Sequence, residues 1–367
     1  MKKVLLGSTA LVAAGVMATA PASAAEKLSA KVGGYMEQWV GYSSVDDSGA
    51  ASGDTSGFDV KSDSEIHFKG ATVLDNGIEF GINVQLEANH NGGDQIDESY
   101  LIIKGSFGEI NIGSENSAMY KMHYAPNEFG IGINSGDQAD WTLGSGASIS
   151  SSGTFRGPFG STYMEPARTN DSEKITYYTP RVAGFQFGAS YSPDTSQDSN
   201  VRTNSDTALT DGVMFGANYV NNFGGFDVAV SGGYGTFLDS PAGSNEPEAY
   251  SAGITLGYAG FGIGASWARF DDSGATDGDG YNLGVSYETG PFGVSLSYFN
   301  GERAGSGAAT AGGSQAEQDT FALSGKYALG PGVTAAATLG HSEYTSSTAG
   351  VADVEATYFV TGIKLSF

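Results

Sequence analysis

The sequence predicts an all-β fold: a transmembrane antiparallel β-barrel of about sixteen strands. Three observations carry the expectation. Apolar and polar residues alternate with period two up to the C-terminus, short turns alternate with long polar loops, and the last strand stops on an aromatic residue.

The N-terminus has to be set aside first. Lys2 and Lys3 precede the apolar stretch Val4 to Ala20, and Ala22-Ser23-Ala24 has the small-residue form of a signal-peptidase site, so residues 1–24 are expected to be a cleaved signal peptide. Residues 25–367 then form a single barrel domain. No second run of about eighteen apolar residues follows, so no helical span is expected. The mean hydropathy of −0.18 resembles that of a soluble chain, but a barrel with a polar lumen gives the same value. There are no cysteines, although an exported chain meets an oxidising compartment; a closed strand ladder is another source of stability. The net charge is −24, and −26 without Lys2 and Lys3, which argues strongly against nucleic acid as a partner. Fifty-six glycines, nineteen tyrosines and twenty phenylalanines favour aromatic-rich β structure.

The strands read as follows. Gly184 to Tyr191 sets Phe185, Phe187, Ala189 and Tyr191 against Gln186, Gly188 and Ser190. Ile78 to Ala88 sets Ile78, Phe80, Ile82, Val84 and Leu86 against Glu79, Asn83, Gln85 and Glu87. Phe261 to Trp267, Tyr281 to Tyr287 and Phe292 to Tyr298 repeat the pattern, with aromatics at strand ends where a membrane barrel carries its girdles. Seven short turns fall at Leu74 to Gly77, Gly105 to Gly108, Pro180 to Gly184, Asn221 to Gly225, Ala259-Gly260, Thr289 to Pro291 and Leu329 to Gly332. Eight longer loops lie near 43–60, 90–95, 115–172, 193–211, 238–248, 271–280, 301–318 and 340–352. The two kinds alternate strictly, which requires sixteen strands with both termini at the short-turn end. A soluble sandwich would keep its loops short at both ends.

Asp353 to Phe367 is one closing strand, with Phe359, Ile363, Leu365 and Phe367 on one face. Its terminal Phe367 resembles the assembly signal by which outer-membrane barrels are recognised, which implies the barrel-assembly machinery as a partner.

Glu65 to Gly70 (E-I-H-F-K-G), Glu98 to Gly113 (E-S-Y-L-I-I-K-G-S-F-G-E-I-N-I-G) and Lys174 to Pro193 resemble strands two, four to five and six to seven of the general Gram-negative porins, alphaproteobacterial type. The resemblance implies an outer-membrane homotrimer among lipopolysaccharide and lipid, with one pore per subunit for ions and small hydrophilic solutes, and no catalysis. It also implies that the third long loop, 115–172, folds inward as the constriction. Pro126-Asn127-Glu128-Phe129-Gly130 there resembles the family's acidic P-E-F-G segment, which makes Glu128 a constriction carboxylate, with Asp137 and Asp140 as further candidates. The alternative for Glu128 is a carboxylate that caps a turn or binds a neighbouring amide.

The chain departs from the family where wall arginines oppose this acid. Glu65 stands at the second-strand position and Asp97 at a fourth-strand position. The remaining wall cations by parity are Lys61, Lys69 and Lys174, with Arg168 just before the sixth strand and Lys121 and Arg156 in the loop. Losing the positive half of the transverse field predicts cation preference.

No cofactor is expected. The acidic run Asp271 to Gly280 and the pair Asp46-Asp47 could hold Ca²⁺ or other divalent cations, but EF-hand and β-roll spacings are absent. The four histidines form no zinc pattern, and no G-x-S-x-G, P-loop or dinucleotide fingerprint occurs. Two other readings stay open: a secreted acidic β-rich surface protein stabilised by Ca²⁺, and a substrate-selective channel.

Overall fold

The structure is a computed structural model that describes residues 28–47, 57–89, 95–142, 160–167, 169–197, 201–241, 244–271, 277–304, 315–347 and 353–367. Residues 1–24, assigned above to the signal peptide, lie outside the described residues.

Sixteen strands form one closed antiparallel barrel. They are β1 (Ser29–Asp47), β2 (Phe58–Val73), β3 (Glu79–Glu87), β4 (Ile96–Gly105), β5 (Gly108–Ser114), β6 (Glu173–Tyr178), β7 (Phe185–Asp194) and β8 (Thr210–Phe223). The second half comprises β9 (Phe226–Asp239), β10 (Glu248–Tyr258), β11 (Phe261–Asp271), β12 (Gly278–Thr289), β13 (Phe292–Ala304), β14 (Gln315–Gly330), β15 (Val333–Ser346) and β16 (Val354–Ser366). Each strand pairs with its sequence neighbours, and β16 returns to β1 from Tyr35↔Ser366 to Asp47↔Val354, so no edge is left exposed. All seven expected short turns connect strands. Ala259-Gly260, with φ of 50° and 89°, and Gly224-Gly225, with 63° and 102°, have the doubly positive geometry that suits the twist of a two-residue hairpin.

The alternation resolves into two faces. Phe185, Phe187 and Tyr191 on β7, Phe261, Ile263 and Trp267 on β11, and Phe292, Val294 and Leu296 on β13 are exposed on the outer wall. At the short-turn rim, rings pair across strands: Phe185–Tyr219, Phe226–Tyr258, Phe261–Tyr287 and Phe292–Tyr327, with centroids 4.1–4.7 Å apart. An apolar belt of this extent is too large for a water-exposed surface and matches hydrocarbon bounded by girdles.

The inner face is not uniformly polar. The loop 115–172 enters the barrel and packs on it through two short helices, α1 (Ala118–Lys121) and α2 (Ala139–Thr142). Trp141 and Ile131 of the loop bury against Trp39, Ala336, Tyr358 and Val360. Met119 and Met164 pack against Met214, Ala249, Ala268 and Phe270. This interior contact explains why β16 is apolar on both faces: its inner side, Val354 to Val360, is covered by protein.

Candidate pore constriction

A loop can lie this close to a strand wall only where side chains are missing. Gly188 on β7, Gly216 on β8, Gly233 on β9, Gly253 on β10, Gly264 on β11 and Gly284 on β12 all face inward beneath the loop. A Cβ at any of them would come within 3 Å of Ala118, Met119, Met122, Tyr124 or Pro126. Hydroxyls beside this track accept the loop's backbone donors: Ser190 from Ala118 N at 2.9 Å, Ser231 from Tyr124 N at 2.9 Å, Ser295 from Phe129 N at 3.3 Å and Thr338 from Ile131 N at 2.9 Å. Each such bond contributes about 1 kcal/mol, and each would otherwise leave a buried N–H unpaired. The far end of the loop is tied down where Ser43 Oγ donates to the Trp141 carbonyl at 2.5 Å, and Thr142 Oγ1 meets Tyr344 OH at 2.9 Å. The loop is therefore carried around the inner wall from β7 to β16 and β1.

The loop helices pack elsewhere than on β2 to β4, α1 on β6 to β9 and α2 on β16 and β1. On β2 the inward residues are Lys61, Asp63, Glu65, His67 and Lys69, the parity being fixed by Lys61 Nζ lying 5.3 Å from the Trp141 ring centroid. Tyr35 OH on β1 donates to Glu65 Oε1 at 2.8 Å and reaches Asp63 at 3.3 Å. His67 Nε2 lies 2.7 Å from Glu65 Oε2. Glu37 on β1 accepts from Trp39 Nε1 at 3.1 Å and pairs with Lys364 at 2.8 Å. Carboxylate oxygens of Glu65, Glu87 and Asp97 lie within 4.8 Å of one another.

The candidates named from the sequence are distributed unevenly around this wall. Glu65 and Asp97 come together, and Glu87, which the sequence reading did not single out, joins them; its signal was its place on the inward parity of β3. Glu128 Oε2 accepts from the backbone N–H groups of Ile133 at 3.1 Å and Asn134 at 3.3 Å, so its carboxylate turns onto its own loop. Burial pushes its pKa up to about 7 against the pull of those two donors. Asp137 accepts from Ser135 Oγ at 2.6 Å. Asp140 is held above the ordinary carboxylate range, chiefly by burial and then by Asp137, with Lys61 opposing.

Among the cations, Lys61 pairs with Asp59 at 2.8 Å, and Lys69 is exposed across from Lys31. Lys121 pairs with buried Glu115 at 2.5 Å and lies 4.9 Å from the Tyr100 ring centroid. Lys174 does not face the opening: its ammonium is buried at the loop root, donating to the carbonyls of Glu115, Thr169 and Ser172. It joins the loop's two limbs. Arg168 and Arg156 lie outside the described residues, as do positions 272–276 of the acidic run. Asp271 and Asp279 of that run lie within 3.5 Å of the Arg269 guanidinium, so they are matched by a cation already. Phe367 sits exposed on the outer face at the barrel's closure.

Comparison with known proteins places this geometry. The family model described as Gram-negative porin matches residues 7–347. A Rickettsia bellii protein described as uncharacterized is 25% identical over 317 residues, covering 66% of this chain and 69% of its own. Among solved structures, the anion-selective porin from Comamonas acidovorans superposes with a TM-score of 0.64 at 17% identity, over 93% of this chain and 100% of that one. OmpT of Vibrio cholerae in its trimer form gives 0.60 at 13% identity, over 93% and 100%. A mutant of the Rh. blastica porin gives 0.57 at 14% identity, over 92% and 100%. At these identities the structural likeness is one of fold.

Proposed function

The chain belongs to the Gram-negative porin family and is an outer-membrane channel protein; on that premise we propose that it is a trimeric pore for passive diffusion that prefers cations. The observation that carries the preference is the acidic wall. Glu37, Asp63, Glu65, Glu87 and Asp97 come from four adjacent strands, and Asp137 and Asp140 sit on the loop end docked at β1. Of the lysines in this region, Lys61 and Lys364 are each matched by a carboxylate, and Lys69 stands across from Lys31 towards the short-turn end of β2. Carboxylates around a narrow aqueous opening attract cations and repel anions through a field that little solvent screens.

The likeness to an anion-selective porin does not weigh against this. Selectivity belongs to side chains grafted on the barrel, and two barrels of one fold can carry opposite walls. The trimer rests on family membership and on the trimer form of the Vibrio protein. A planar-bilayer reversal potential in a KCl gradient tests the reading. A potential favouring K⁺, strongest at low salt, supports it, and one favouring chloride overturns it.

A further inference from the structure

We infer that ions are selected on the barrel wall by Glu65, Glu87 and Asp97, and that a β-bulge in β4 is the device that brings Asp97 into the lumen. This rests on the cation-preferring reading and deepens it: Glu87 and Asp97 become specificity-determining residues.

The register shows the device. β3 and β4 pair regularly from Glu79↔Lys104 to Val84↔Ser99, and the next pair is Leu86↔Ile96. One residue of β3, Gln85, therefore faces two of β4, Asp97 and Glu98. Regular alternation would put Asp97 on the same side as Leu101 and Ile103, in hydrocarbon, where a carboxylate is costly. The extra residue re-aims it, as bulges do. Glu98 keeps the inward position and is consumed structurally: it accepts from Gln85 Nε2 and, through Oε1, from Asn116 N at 3.1 Å and Asn116 Nδ2 at 2.8 Å. Asp97 is then the carboxylate of the doublet that reaches Glu65 and Glu87. The bulge is also held from outside the pair, because Gln197 Nε2 donates to the carbonyls of Ile96 at 2.7 Å and Asp97 at 3.1 Å. Those are acceptors that the broken ladder would leave unmatched.

Glu128 of the loop is no equivalent. It is buried and folded onto two backbone N–H groups of its own loop, and burial raises its pKa. A buried group folded onto its own loop sets a weaker field in the lumen than three carboxylates whose oxygens gather within 4.8 Å on the β2–β4 wall.

The chain has no cysteine, which makes the test direct. Asp97→Cys channels inserted in a planar bilayer are treated with a positively charged, membrane-impermeant methanethiosulfonate. The expected result is a fall in conductance and in K⁺ preference on addition of the reagent. No response would place the position on the lipid face and overturn the inference while leaving the cation-preferring reading intact. In parallel, Glu87→Gln should lower the K⁺ over Cl⁻ permeability ratio by about fivefold at 0.1 M salt, the order expected from losing one unit charge at contact range. If Glu128→Gln moves that ratio more than Glu87→Gln does, selection belongs to the loop and the inference fails. A wild-type channel that favours chloride would overturn both.

Discussion

Gly34 and Phe367 exchange both of their backbone hydrogen bonds, Gly34 N to Phe367 O at 3.1 Å and Phe367 N to Gly34 O at 3.2 Å. The last residue of the chain is thus the last rung of the barrel's closure, while its ring stays exposed on the outer wall. Backbone and side chain can be separated by experiment. Deleting Phe367 removes two closing bonds, about 1 kcal/mol each, together with the ring. Phe367→Ala keeps the bonds and removes only the ring. If the ring is the assembly signal, both variants should reduce folded barrel in the outer membrane to similar levels, with normal conductance in the channels that form. If closure dominates, Phe367→Ala should accumulate normally; immunoblots of folded and heat-denatured membranes decide.

The glycine track makes a prediction about pore size. At Gly253 an added side chain would strike the Tyr124 carbonyl, which belongs to backbone and cannot rotate away. Gly253→Val should push residues 122–126 off the wall and lower single-channel conductance, leaving ion preference unchanged because the acidic wall is untouched. Gly232 is the control, since the nearest atom to its added Cβ is 3.9 Å away. Gly232→Ala should conduct normally. Equal conductance in all three channels would mean that the loop is not held by close approach.

Much of this was legible before any coordinates. Period two and the seven turn clusters located all sixteen strands, because each turn combines a glycine or proline with short length and no tertiary contact has to be known. The inward glycines on β7 to β12 were legible too, had their shared parity been read as a path for backbone. What escaped were features set across the sequence. The family resemblance put Asp97 on the wall, but not the mismatch with Gln85 that turns it there, because a bulge leaves no mark in one strand's alternation. Lys174 follows wall parity, yet its amine is claimed by carbonyls at both roots of a loop whose path the sequence does not draw.

Glu128 should give the barrel a pH-dependent stability. Burial raises its folded-state pKa to about 7 from an ordinary value near 4.5. The folded state therefore holds the proton more tightly, so the contribution is full below pH 4.5 and is lost as pH rises through about 7, on the order of 3 kcal/mol at most. Asp171, also raised to about 7 by burial and then by Asp97 and Glu98, acts in the same window. The heat-denaturation midpoint in detergent should fall between pH 5 and pH 8, and Glu128→Gln should flatten part of that slope. A variant as pH-sensitive as wild type would show that Glu128 stays ionised when folded.

Turn strain offers a check that does not involve the pore. Ala259 holds φ at 50°, a conformation that costs an L-residue about 1–2 kcal/mol and glycine almost nothing. Ala259→Gly should raise the denaturation midpoint. The converse exchange, Gly290→Ala, should lower it, because Gly290 has φ 55° with no atom within 4 Å of an added Cβ, so only backbone strain is at issue.

For the trimer proposed above, the outer wall points to where subunits would meet. Paired aromatic rings line the short-turn rim from β7 to β14, and no such pair occurs on β2 to β5 among the described residues. Ile82 and Ile112 are exposed there, with Phe68 and Phe107 as single unpaired rings. Girdles mark contact with the membrane interface, so a sector without one is the sector expected to face protein. Ile82→Gln or Ile112→Gln should lower the temperature at which the unboiled oligomer dissociates into folded monomers. Leu256→Gln, on the girdled side of β10, should leave that temperature unchanged, since it faces lipid in monomer and oligomer alike. If Leu256→Gln loosens the assembly and the two isoleucine variants do not, the subunits meet on the other side of the barrel.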